Sequence, residues 1–498
     1  METLKMADEI LGDLEPQIVW TIFEEITHIP RPSKKEEKIR QWVKAWAEKH
    51  GISLKEDEAG NILLSKAARP GCEDYPTLIL QGHMDMVCEK EPGIDIDFDE
   101  DPIPIKRKEN LVFAEGTTLG ADNGIGMALG LAALVSEDLQ HGPLEVLLTV
   151  DEETGLTGAF EMKEGFFSGK YLLNIDSERI GEITIGSAGG GKTEFKIPLS
   201  TKIWDDWKGI KIIIQGLKGG HSGVDIDLPR LNAIKVGVNA LTKLFGAKKM
   251  RERRETMIIL SDIHGGSAHN AIPRDLECEI LVPGENVEEA KQILSTWKKR
   301  VLEEGKEIEP EMEIGILETE QKKGFAREQS QAIYELLLKI HHGVHSFSKE
   351  IKGLVQTSSN LAVVSSKETE ATIIVSTRSS VTKELEKVRK QLKKLGKKYN
   401  AKVIQDKAYP GWKPIPDSPF IELVEKVYTS VINKEAELRA VHAGLECGLF
   451  LALEPDLQVA SIGPNINNAH SPDENIEIDS VAPIWEVIKG VIRNINKV

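Results

Sequence analysis

A chain of 498 residues, 40% of them apolar and few aromatic, has the composition of a globular protein and the length for two or three domains. Its formal net charge of −17 argues against a nucleic-acid partner, and its longest uncharged apolar run, residues 123–136, is too short to span a membrane. Four widely spaced cysteines (Cys72, Cys88, Cys278, Cys447) with no CxxC pair suit reduced thiols, and the acidic N-terminal stretch has no hydrophobic signal core, so a cytoplasmic location is expected.

In chain order, residues 19–50 read as helices interrupted by Pro30 and Pro32. NILLSKA and TLILQGHMDMV follow as strands, the second presenting His83 and Asp85. Residues two apart in a strand share a face, so imidazole and carboxylate can emerge together, an arrangement common around metals. The plainer alternative is a strand-end histidine with an incidental acidic neighbour. After a long acidic loop, GADNGIGMALGLAALV reads as a buried helix with Asp122 at its N-terminus, where the dipole and free N–H groups favour a carboxylate. LEVLLTVDEE and KYLLNIDSE are apolar strands ending in acids. Strands alternating with helices, with polar groups at strand ends, indicate an α/β sheet whose site lies at its carboxyl edge.

Near residue 186 the texture changes. GSAGGGKT matches a phosphate-binding loop literally, but the alternating TEFKIPLS after it reads as a strand where that loop requires a helix, so a Gly-rich hinge is the better expectation. Hairpins and amphipathic helices then follow to about residue 405 in an α+β texture, before strands and buried helices return. This predicts a discontinuous first domain, residues 1–187 and 406–498, and an inserted domain, residues 188–405, long enough for two α/β subdomains.

Five further groups join His83 and Asp85: Asp122, the pair Glu152 and Glu153, Asp176, and His470 in NNAHSPDE. All stand at loops or strand ends. Histidines and carboxylates without thiolates suit zinc, manganese or cobalt, zinc being favoured. The donors exceed what one tetrahedral ion needs, which a pair of ions sharing one carboxylate and one water would explain.

Together HMD, GADNGIGMA, DEETG, the NID strand end and AHSPDE resemble the di-zinc aminoacylase and carboxypeptidase-type metallopeptidases. SIGPNINNAHSPDE, HAGLECG and YPGWKP are similar to the aminoacyl-histidine dipeptidase branch. The resemblance implies an α/β fold: a mixed-sheet di-zinc peptidase catalytic domain with an inserted α+β lid domain. It implies two Zn2+ per chain, with Co2+ or Mn2+ as substitutes. His83 and Asp176 would hold one ion, Glu153 and His470 the other, and Asp122 would bridge them. Asp85 would orient His83, and Glu152 would be the general base for a shared hydroxide attacking the scissile carbonyl. From the insert, His221 in GGHSGVD would polarise the substrate carbonyl, and Asn270 and Arg378 would hold substrate, Arg378 through a carboxylate. The bland alternative for these three is a loop polar group or a surface ion pair.

The function so implied is hydrolysis of small peptide substrates, Xaa-His dipeptides such as carnosine foremost, without nucleic-acid or membrane partners. An aminoacylase or a broader di- and tripeptidase is the alternative within hydrolases, and a non-catalytic peptide-binding homologue the alternative outside them. The chain would be a homodimer, or a monomer whose double-size lid replaces a partner. HHGVH (His341 to His345) reads as a solvated turn, and His442 as either a substrate neighbour or a core histidine.

Overall fold

The computed structural model describes residues 10–246 and 258–498. The extreme N-terminal stretch and the first two residues of the strand-like run TMIILSDIHGG lie outside the described residues. The chain divides into two compact units, the first reaching to Ser187 and resuming over Trp412–Ala440 and Leu445–Val498, the second comprising Ala188–Gly411 with Val441–Gly444. Residues 406–411, placed by sequence in the first domain, thus belong with the second. There Tyr409 pairs with Gly190, and Arg389 donates to the carbonyl of Asp406.

In the first unit an eight-stranded sheet has the order 53–56, 62–66, 144–149, 78–83, 171–174, 458–461, 182–187, 437–441. Its four middle strands are parallel. They are short, almost wholly buried runs of Leu, Ile and Val, the composition of a sheet covered on both faces. Parallel pairing brings their carboxyl ends to one edge: His83 lies opposite Thr149, Gln81 opposite Asn174, and Ser461 opposite Asn174. The buried helix Ala121–Val135 packs against strand Leu78–His83. A separate four-stranded sheet, in the order 466–467, 475–477, 111–114, 105–108, carries the hairpin that presents His470.

The second unit holds one nine-stranded antiparallel sheet, with strand 343–347 paired to 355–366 beside the path 313–319, 207–215, 276–283, 259–265, 355–366, 370–379, 189–198, 402–405. The insert has the length for two subdomains, and its two halves join where strand 259–265 meets strand 355–366 through two residue pairs, His264 with Ser365 and Gly265 with Val364. A single apolar core runs beneath both halves, from Ile212 and Ile280 to Phe195, Ile373 and Val375, so burial makes them one body.

Gly189–Gly191 open the strand Gly189–Pro198, paired along its length with strand 370–379, and the division between the two units falls at Ser187 and Ala188, inside the Gly-rich stretch. The glycines' lack of side chains admits the neighbouring chain, since a Cβ on Gly189 would sit 2.4 Å from the Gly411 nitrogen. HHGVH is not a solvated turn. Gly343–Phe347 is a strand, with His345 Nε2 2.9 Å from Ser359 Oγ and its ring 4.3 Å from that of His341. Among the described residues no helix is long and apolar enough to cross a membrane.

Close approach also constrains the sheet edge. A Cβ on Gly463 would fall 1.6 Å from the carbonyl oxygen of Ser177, next to Asp176. Gly463→Ala is therefore expected to destabilise the protein by about 1–3 kcal/mol, read by denaturant unfolding.

Candidate metal and substrate-binding residues

Strand Leu78–His83 ends with His83 facing into the edge, 1% exposed. Its Nδ1 lies 3.2 Å from the carbonyl oxygen of Asp85 and 3.4 Å from the Asp85 carboxylate. The carbonyl is thus the nearer acceptor for Nδ1–H, which leaves the Nε2 lone pair free to bind. Nε2 sits 3.0 Å from Asp122 Oδ1 and 3.4 Å from Asp176 Oδ1. The other Asp122 oxygen, Oδ2, lies 3.1 Å from His470 Nε2, which is 2.9 Å from Glu153 Oε2. One carboxylate therefore offers one oxygen to each of two donor groups.

The backbone reaches this arrangement differently from the sequence reading. Asp122 does not cap the helix that follows: its own backbone and that of Asn123 are non-helical, and its side chain turns to the two histidines. Glu152 and Glu153 are not the end of a strand. Strand Leu144–Thr149 stops, Asp151 adopts a left-handed conformation, and a helical turn, Glu152–Gly155, begins. Successive residues diverge by about 100° around that turn, which separates the two side chains. Asp85 caps the turn as well as flanking His83, accepting the Glu152 and Glu153 amides at 3.0 and 3.2 Å.

Two donor trios result, His83–Asp122–Asp176 and His470–Asp122–Glu153. Tetrahedral zinc with legs of about 2.0–2.1 Å sets its donors roughly 3.3 Å apart, which the histidine-to-carboxylate separations of 2.9–3.4 Å match, and His83, Asp122 and Glu153 each bring a ligand atom within 4.8 Å of the others. The electrostatics agree. Burial, with Asp122 and Glu153 adding, raises Asp176 to about 7, and burial raises Glu153. Contacts with Asp122 and Glu153 push His470 up to about 11. Burial opposes a charged His83, but the carboxylates around it prevail and its pKa is well raised. Anions so crowded demand positive charge, and protons and cations compete for it. Glu153 Oε1 is buried with no hydrogen-bond partner among the described residues. Glu152 is raised well above the usual carboxylate range, by burial and then by Asp176 and Glu446.

Glu446 is a residue the sequence reading passed over. It is buried, accepts from Gln81 Nε2 and Thr149 Oγ1 at 2.7 Å each, leaves Oε1 unpartnered among the described residues, and is raised by burial to about 8. Its signal was an acid inside HAGLECG, an otherwise small and apolar stretch.

The remaining candidates lie in the second unit. His221 stands in a turn after Gly219 and Gly220, both at positive φ, and its Nδ1 accepts the Val224 amide at 3.2 Å, leaving Nε2–H as a donor. Asn270 is exposed, and its backbone carbonyl accepts the Ser222 amide at 2.7 Å, bracing the His221 turn. Arg378, 8% exposed, donates to the Tyr409 hydroxyl at 3.2 Å, while its Nε has no partner among the described residues. His442, 6% exposed, bonds Ser358 Oγ at 2.8 Å, and its carbonyl abuts Gly223 beside His221. Burial, with Arg378 and His221 adding, lowers His442 to about 3.

Because that value is below the ordinary 6.5, stability from neutral His442 is present above pH 6.5 and lost as pH falls towards about 3. His442→Gln should therefore flatten the acid side of the melting-temperature profile in chelator-treated protein.

The sequence matches Peptidase family M20/M25/M40 over residues 79–494. It is 37% identical over 488 residues to the cytosol non-specific dipeptidase of Escherichia coli K12, covering 97% of this chain and 99% of that one. The crystal structure of aminoacylhistidine dipeptidase from Vibrio alginolyticus superposes with a TM-score of 0.88 at 35% identity, over 97% of both chains. An aminopeptidase from Bacillus cereus shares the fold at 16% identity and a TM-score of 0.55, over 97% of this chain and 99% of its own. With a family match over most of its length and a relative this similar from end to end, the chain belongs to peptidase family M20/M25/M40.

Proposed function

We propose that this chain is a metal-dependent dipeptidase that takes Xaa-His dipeptides among its substrates and works with two zinc ions. The observation that carries the reading is Asp122, with one oxygen 3.0 Å from His83 Nε2 and the other 3.1 Å from His470 Nε2. The relatives of known activity, a non-specific dipeptidase and an aminoacylhistidine dipeptidase, support the substrate class. Four free cysteines, and the cytosolic relative, support a cytoplasmic setting.

His83 and Asp176 would hold one ion and His470 and Glu153 the other, with Asp122 serving both sides. When bound, the metal would supply Lewis-acid activation of water and of the scissile carbonyl. Glu152 is the general base: its carboxylate takes a proton from the attacking water and returns it to the leaving amine. Asp85 holds the turn that aims Glu152, through the amides of Glu152 and Glu153. His221, with Nε2–H free to donate, steadies the carbonyl oxygen as charge develops there. Arg378, buried and hydrogen-bonded to the Tyr409 hydroxyl, takes the substrate carboxylate, and the Asn270 backbone carbonyl braces the His221 turn.

A substrate panel on metal-loaded protein tests the reading. Xaa-His dipeptides, carnosine included, and other dipeptides should be cleaved faster than tripeptides or N-acyl amino acids; preference for N-acyl amino acids would make it an aminoacylase. Glu152→Gln should keep its metal, measured by elemental analysis, and lose about 10²–10⁴-fold in kcat. Parent protein that binds dipeptides without cleaving them would make it a peptide binder. Arg378→Met should raise KM for free dipeptides about 10–100-fold, while leaving KM for the matching dipeptide amides nearly unchanged.

A further inference from the structure

Two fully buried charged side chains in the first unit have no part in the chemistry above. Arg31 is 2% exposed, and its guanidinium donates to three carbonyls: Met84 at 3.2 Å, Asp85 at 2.9 Å, and Gly120. Glu474, also 2% exposed, accepts three amides: Leu119 at 2.7 Å, Gly120 at 2.9 Å and Asp122 at 3.2 Å. Among the described residues, every hydrogen bond of both side chains goes to main chain. Burying a charge is costly without compensation, so three aligned backbone dipoles around each charge mark a built arrangement.

The backbone segments they grip carry metal ligands. Arg31 ties the exit of strand Leu78–His83 to Gly120, two residues before Asp122. Glu474 lies four residues after His470 in the same hairpin loop, and ties that loop to the amide of Asp122 itself. The glycines of LGADNG serve this contact. Gly120 is at φ +72°, and a Cβ there would lie 2.5 Å from Arg31 Nη2; one on Gly124 would lie 2.7 Å from the same atom. Side chains at either position would expel the guanidinium.

We propose that Arg31 and Glu474 are positioning residues, Arg31 fixing the spacing of His83 to Asp122 and Glu474 that of Asp122 to His470, so that each governs one ion of the pair. This rests on the two-ion reading of the site. Arg31→Lys keeps the charge but replaces a planar fork with a point donor that cannot span Asp85 and Gly120 together. Glu474→Gln keeps shape and one acceptor, but turns an amide NH2 towards backbone N–H groups.

The test is a titration of metal-free protein with Zn2+ against a chromophoric chelator, with circular dichroism to establish that each metal-free variant is folded. The parent should bind two ions. Glu474→Gln should weaken one of them by about 10–100-fold, the loss typical of groups that orient metal ligands. Arg31→Lys should weaken the other by a similar factor. Combination with His470→Ala separates the two: Glu474→Gln should add nothing there, whereas Arg31→Lys should still weaken the remaining ion. Excess metal should restore kcat in both single variants. Folded variants that bind both ions as the parent does overturn the inference alone, as does equal loss of both ions in each variant. A parent that binds no metal overturns the site reading and this inference together. If Glu474→Gln does not fold without metal, Glu474→Asp carries the same comparison; if Arg31→Lys does not, Gly120→Ala, which displaces the guanidinium, takes its place.

Discussion

Everything in the first unit converges on one carboxylate shared by two imidazoles. Asp122 stands within about hydrogen-bond reach of His83 on one side and His470 on the other, although these come from positions 39 and 348 residues away. Burial alone would raise its pKa, but the two imidazoles outweigh burial and hold it ionised. The neighbouring carboxyls go the other way, Asp176 to about 7 and Glu178 to about 7, because they are buried among like charges. Such a cluster needs protons or cations to offset its charge, and the family to which the chain belongs is one of peptidases.

The sheet explains how distant residues can meet so closely. Parallel strands with one common carboxyl edge deliver His83, the Glu152 turn and Asp176 side by side without any of them being neighbours in sequence. Beneath that edge runs a row of buried polar side chains. Asn174 donates to Gln81, Gln81 and Thr149 to Glu446, and Ser461 to Asn174. Each strand end is thereby fixed relative to the next by side chains as well as by the backbone ladder. A hydrogen-bonded row of this kind is costly to leave partly made, so it resists the small slips that would misplace a metal ligand.

The second unit obeys a different logic. Its two halves share one apolar core, although their strands meet over just two residue pairs. Hydrophobic burial is non-directional, so a continuous core can unite halves that the hydrogen-bond ladder barely joins. On one half of this sheet Arg378 is held with its charge buried, beside neutral His442 and the His221 turn. A buried guanidinium with a tyrosine hydroxyl as its hydrogen-bond partner among the described residues favours an incoming anion.

Much of this was legible in the order of residues. Apolar runs ending in acids gave the parallel strands and their common edge, and histidines and carboxylates without thiolates pointed to a metal site, because periodicity and ligand chemistry are local properties. The failure of GSAGGGKT as a phosphate loop was equally local, since a strand follows it. Other features depend on what lies opposite. Whether Asp122 caps a helix or turns to two histidines, whether Glu152 belongs to a strand or a helical turn, and whether Glu446, Glu474 and Arg31 are surface charges or buried supports were decided only by packing. Sequence names the donors because chemistry resides in side-chain type; folding alone decides their pairing, because distances and burial belong to the assembled chain.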